Sequence, residues 1–116
     1  MDKPHKRLDV WRCAMKLVKR IYHTTQVFPA EEKYGLTQQM RRAAVSIASN
    51  IAEGAARRGT KELRQFSTIA RASLSELDTQ ADIAMMLTFL SREERLELDT
   101  LMTRIDKMLY RLIQTC

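Results

Sequence analysis

The chain has little of what most folds other than helical ones need. Its 116 residues include three Gly, two Pro and two Cys, and only 6% are aromatic. Leu, Ala, Met, Arg and Glu recur where a β-rich protein would carry Val, Thr and aromatics, which favours helix over strand. Cys13 and Cys116 stand far apart and form no CxxC, which excludes a disulfide framework and reads as one buried and one terminal thiol in a reducing compartment. No stretch approaches the roughly 18 uninterrupted apolar residues of a membrane span. The opening MDKPHKRLDVW has no apolar run of signal-peptide length, so a cytoplasmic protein without membrane contact is expected. The length suits one hydrophobic core, hence a single domain over residues 1–116.

What is present is helical punctuation. A first helix is expected from about Lys6 to Val27, with Leu8, Trp11, Met15, Val18 and Tyr22 on its apolar seam and a stop before Pro29. A short connection should tuck Phe28, Tyr34 and Leu36 against the rest. The second helix spans about Thr37 to Arg58 and Gly59 ends it. Thr60 can cap a third, whose seam is Leu63, Phe66, Ala70, Leu74, Leu77, Ala81 and Ala84 and which closes near Leu90. Ser91 to Glu94 fits a capping box opening the fourth, with Leu98, Leu101, Ile105, Met108 and Leu112 as its seam. Short connections between long amphipathic helices predict an all-α, antiparallel up-down-up-down four-helix bundle. Second apolar rows remain: Ala14, Leu17 and Ile21; Ile69, Ile83 and Leu87; Met102, Leu109 and Ile113. This surplus either widens the core or forms a subunit interface, and the frequency of homo-oligomers favours the interface.

The second helix carries an unusual polar line. At about 100° per residue, Gln39, Arg42, Ser46, Asn50, Glu53 and Arg57 share one arc, beside Met40, Ala43, Ala44, Ile47, Ile51 and Gly54. Ser, Asn and Gln are weak choices for a solvated helix surface and suit closely approached helices, where each group bonds across to a neighbour. Glu76 and Gln80, with Ser73 beside them, are the candidate partners on the third helix. A buried network of Gln39, Ser46, Asn50, Glu53, Gly54 and Glu76 and an exposed polar face both fit the pattern.

Catalytic patterns are absent from the sequence. GAARRGTK, residues 54–61, nearly spells a phosphate loop, but the order is Thr60 then Lys61, no strand precedes it, and the middle reads as helix. His5 and His23 lack companions at metal-ligand spacing, and no Ser or Cys is paired with a base. Glu31, Glu32, Glu93 and Glu94 sit at helix starts or in loops, where the helix dipole explains them. A non-enzymatic chain without metal or cofactor follows.

Charge is where the sequence is uneven. Residues 1–59 hold 12 Lys and Arg against 5 Asp and Glu, and residues 60–116 hold 8 against 9, so the net +6 arises in the first half. Such a balance points to a polyanionic partner. Candidate contacts are Arg12, Lys16, Lys19 and Arg20 on the first helix, and Arg41, Arg42, Arg57, Arg58 and Lys61 at the two ends of the second. No aromatic is interleaved with these charges in sequence, so base stacking is not expected, and any RNA or DNA binding should be phosphate-led and weakly sequence-selective.

Several of these residues also carry a resemblance. Phe28-Pro29, Tyr34-Gly35-Leu36, Gln39, Arg41-Arg42-Ala43-Ala44, Ser46-Ile47, Asn50-Ile51-Ala52-Glu53-Gly54, Phe66, Ala70 and Ser73-Leu74-x-Glu76-Leu77 resemble the signature of a bacterial four-helix-bundle family. Its members include proteins encoded in intervening sequences of large-subunit ribosomal RNA genes. A more distant relative is the accessory variability determinant of diversity-generating retroelements. The resemblance implies a ring-shaped homopentamer, and for the retroelement relatives a basic barrel that binds nucleic acid and a reverse transcriptase. A protein-interaction scaffold without nucleic-acid activity is the alternative reading.

Overall fold

The computed structural model describes every residue except Asp2, Arg58 and Cys116, and Thr115 in its backbone only. Four helices carry the chain: α1 (Asp9–Thr25), α2 (Leu36–Ala56), α3 (Thr60–Met86) and α4 (Arg92–Thr115). Short 3₁₀ turns, Pro4–Arg7 and Ala30–Glu32, precede α1 and α2. Among the described residues there is no strand. Each helix packs on its chain neighbours and α4 closes back on α1, leaving a body of 43 × 26 × 19 Å. No described helix is long and apolar enough to cross a membrane.

Helix ends follow local chemistry. Leu8 is extended, so α1 starts at Asp9 and not at Lys6. The turn before it is held by Arg12, which donates to the carbonyls of Lys6 and Arg7. The backbone N–H of Leu36 donates to the Glu32 carboxylate at 3.0 Å, which satisfies one orphan donor at the start of α2. Gly59, at φ −95°, is the N-cap of α3, and Thr60 is already inside that helix. The capping box of α4 is formed in both directions, Glu94 N–H to Ser91 Oγ at 3.1 Å and Ser91 N–H to the Glu94 carboxylate at 3.0 Å. α3 stops at Met86, earlier than its apolar pattern suggests. There Thr88 adopts φ +65°, with its N–H on the Met85 carbonyl and that of Phe89 on the Ala84 carbonyl. That pair of bonds is the Schellman arrangement, here with a β-branched residue in the position glycine favours.

The core corrects the reading of α1. Ala14, Leu17 and Ile21 are fully buried, with Val10 and Cys13 beside them, whereas Met15 is 44% and Tyr22 42% exposed. The expected seam is one residue out of register, about 100° round the helix, because it followed the largest side chains and not the centre of the apolar arc. In α4, Met102 and Leu109 are likewise core. Most of the apolar surplus therefore widens the interior, and the row left outside is Ile69 and Ile83 of α3 with Leu87 at its C-terminal cap. Phe28 and Leu36 pack inward as expected, with Phe28 against Phe89 at 5.6 Å between ring centroids, but Tyr34 is exposed.

The face of α2 toward the interior is built from small residues, Ala43, Ala44, Ala48 and Gly54 among Met40, Ile47 and Ile51. A Cβ on Gly54 would stand 2.9 Å from the Cβ of Phe66 and 3.5 Å from the Leu63 carbonyl. These are fixed parts of α3, so the two helices approach as closely as a missing side chain permits. Gly54→Ala should cost about 1–3 kcal/mol in chemical denaturation through overpacking, whereas Ala52→Gly, on the outer side of the same helix, should cost only the roughly 1 kcal/mol of helix propensity.

Candidate nucleic-acid interface

The polar line of α2 divides into two. Ser46 and Asn50 are half-buried where α2 meets α3. Ser46 Oγ lies 2.9 Å from Ser73 Oγ, and Asn50 Nδ2 donates to the Ser46 carbonyl at 2.8 Å and to Ser46 Oγ at 3.1 Å. Gln39, Arg42, Glu53 and Arg57 lie on the exposed side. Glu76, an expected partner of this network, instead accepts a bond from Gln80 Nε2 at 3.1 Å, so Ser73 is the cross-helix partner. Gly54 belongs to the packing, and Glu53 pairs with Arg57 at 3.3 Å along the surface of α2.

The basic candidates do not make one site. Arg12 is bound to Asp9 at 2.6 Å and to its own N-terminal turn. Lys16, Lys19, Arg20 and His23 line a groove of about 430 Å³ between α1 and α4, floored by Leu101, and Arg20 reaches across it to Glu97 at 2.7 Å. Arg41 faces α1, where its Nε donates to Thr25 Oγ1 at 2.9 Å and its guanidinium stacks 4.5 Å from the Tyr22 ring centroid. Its neighbour Arg42, about 100° further round the helix, points outward and lines a second groove with Tyr22, Gln38, Arg41, Val45 and Ser46. Arg57 is engaged by Glu53 and lies over the Phe66 ring at 5.2 Å. Lys61 is exposed at the start of α3, and Arg58 lies outside the described residues.

Acidic side chains gather elsewhere. The α3–α4 seam holds Arg95, nearly buried, on Asp78 and on Asp82 at 2.8 Å, with Asp99 at 4.0 Å and a further Arg71–Asp106 pair at 2.7 Å. Burial pulls the Arg95 guanidinium down, but its hydrogen bonds to Asp82 and Asp78 outweigh that and hold it above the ordinary arginine range. The bond to Asp106 raises Arg71 in the same direction. Four of the carboxylates of the second half are thus committed to one seam. Among the described residues none lies within ion-pair distance of Lys16, Lys19 or Arg42. Sequence reasoning missed both Arg95 and Tyr22. The Asp78/Asp82 step on one helix face was the only signal for the first, and Tyr22 meets Arg41 only through the packing of α1 on α2.

The described residues form an all-helical, four-helix fold, and the comparisons place the chain further. The model of the 23S rRNA-intervening sequence protein family matches residues 6–111, and the chain belongs to that family. Its fold is similar to the crystal structure of a protein of unknown function from the S23 ribosomal protein family of Bacteroides thetaiotaomicron, with TM-score 0.83 and 19% identity over 90% of this chain and 95% of that one. No curated protein matches.

Asn50→Leu should destabilise the fold by about 1 kcal/mol, since it strips a half-buried bond pair from the Ser46–Ser73 contact. Equilibrium unfolding in urea checks this, and an unchanged midpoint would make the polar line solvated decoration.

Proposed function

We propose that this chain is a non-enzymatic RNA-binding protein, an up-down-up-down bundle that assembles as a ring-shaped homopentamer in the cytoplasm. The observation that carries the reading is the segregation of charge: Lys16, Lys19 and Arg42 stand exposed without a carboxylate partner among the described residues, while Asp78, Asp82, Asp99 and Asp106 are gathered at the α3–α4 seam. Exposed cations without a carboxylate partner attract a polyanion through its phosphates. Membership of a family named for 23S rRNA intervening sequences makes RNA the first polyanion to try. Likeness to the retroelement accessory protein makes RNA–DNA species and a reverse transcriptase the next candidates.

The alternating direction of the helices is supported by contacts that pair low numbers with high ones, Ser46 with Ser73 and Gly54 with Phe66, then Arg71 with Asp106 and Asp82 with Arg95. The oligomer rests on the outer row of α3 and its C-terminal cap, where Ile69, Ile83 and Leu87 are exposed beside Met86. That same row favours the second reading, a protein-interaction scaffold whose charge serves only solubility.

Light scattering should give the mass of five chains, and a single-chain mass at micromolar concentration contradicts the ring. Retardation of a large-subunit rRNA fragment should weaken with salt along a log–log slope of about −0.7 to −0.9 per neutralised phosphate. Lys16→Gln, Lys19→Gln and Arg42→Gln together should flatten that slope by roughly 2 to 3 without changing the mass. Absence of retardation at low salt would leave the scaffold reading in possession.

A further inference from the structure

The groove that holds Arg42 has an aromatic ring, Tyr22, in its wall, which the groove of Lys16, Lys19, Arg20 and His23 does not. Tyr22, Gln38, Arg41, Arg42, Val45 and Ser46 enclose about 560 Å³ between α1 and α2. Arg41 is not a mobile phosphate clamp. Its Nε is bonded to Thr25 Oγ1, its Nη2 donates to the Tyr22 carbonyl at 3.3 Å, and Thr25 Oγ1 in turn donates to the Ile21 carbonyl at 2.7 Å. The guanidinium carbon is thereby held 4.5 Å from the Tyr22 ring centroid, yet Tyr22 remains 42% exposed. Two flat groups, one of them cationic, are held ready in an open groove with an apolar wall at Val45.

We infer that this groove seats one unpaired RNA nucleotide, its base stacked on the Tyr22–Arg41 pair and its phosphate on Arg42. The inference rests on the RNA-binding reading above and adds to it the form of the ligand. A flat base extends an aromatic–guanidinium stack, which every base can do and which a paired base inside an A-form helix cannot. Gln38 is exposed beside the stack and offers both an amide donor and an acceptor to a base edge. Arg42, with no carboxylate partner among the described residues, supplies the charge that a phosphate needs at the mouth of the groove. The sequence alone predicts no base stacking, and the pairing of Tyr22 with Arg41 that permits it is created by packing α1 on α2.

The test compares three fluorescently labelled RNAs on the wild-type protein by anisotropy: an oligoadenylate strand, an abasic strand of equal length and charge, and a duplex of the same length. The oligoadenylate should bind about tenfold more tightly than the abasic strand and the duplex, as expected for stacking of one base. Tyr22→Leu should erase that ratio and Tyr22→Phe should keep it. Equal affinity of the wild type for base-bearing and abasic strands overturns the inference, and so does a Tyr22→Leu protein that is folded by circular dichroism and retains the preference. The wild-type comparison decides even where the leucine variant does not fold. Binding of none of the three at low salt instead overturns the RNA-binding reading itself.

Discussion

The close approach of α2 to α3 is the constraint from which the surface follows. Gly54 sits where a Cβ would meet the backbone-proximal atoms of Phe66, and the alanines of α2 keep the rest of its inner face shallow. Such a contact tolerates little rotation of either helix, because small residues fit only where the partner's ridge falls. The Ser46–Ser73 contact and the Asn50 bonds that support it mark the same rotation further along the seam. With α2 fixed in this way, consecutive arginines acquire different roles. Arg41 is turned onto α1 and locked on Thr25 and Tyr22, and Arg42 is turned to solvent.

Electrostatics divide the molecule along a second line. The α3–α4 seam sets two arginines, Arg95 and Arg71, among four aspartates, and so stays net acidic. Such pairs, half in water, contribute modestly to stability. They commit four of the carboxylates of the second half to one seam. On the α1 side Glu97 pairs with Arg20 and Asp9 with Arg12, and among the described residues no carboxylate pairs with Lys16 or Lys19.

Much of this was legible in the sequence. Helix number and order, the capping box at Ser91 and Glu94, and the α3 seam from Ala70 to Ala84 follow from periodicity and end signals. The rotation of α1 was not, because Trp11, Met15 and Tyr22 are bulky enough to imitate a core row while smaller residues one step away fill the interior. The early end of α3 was hidden because Thr at a left-handed position carries no sequence signal of the kind glycine gives. Within the candidate site, the cations themselves could be listed from the sequence, but which of them are free could not. Arg12, Arg20, Arg41 and Arg57 look as available as Arg42 until their partners on other turns and helices are known.

In the proposed function RNA meets the α1 side of the bundle. Ultraviolet crosslinking of the protein to a large-subunit rRNA fragment, with the adducts mapped by mass spectrometry, tests that claim most directly. Adducts should fall on peptides holding Lys16, Lys19, Tyr22 and Arg42. Adducts confined to the α3–α4 seam, around Asp78 to Asp106, would contradict it.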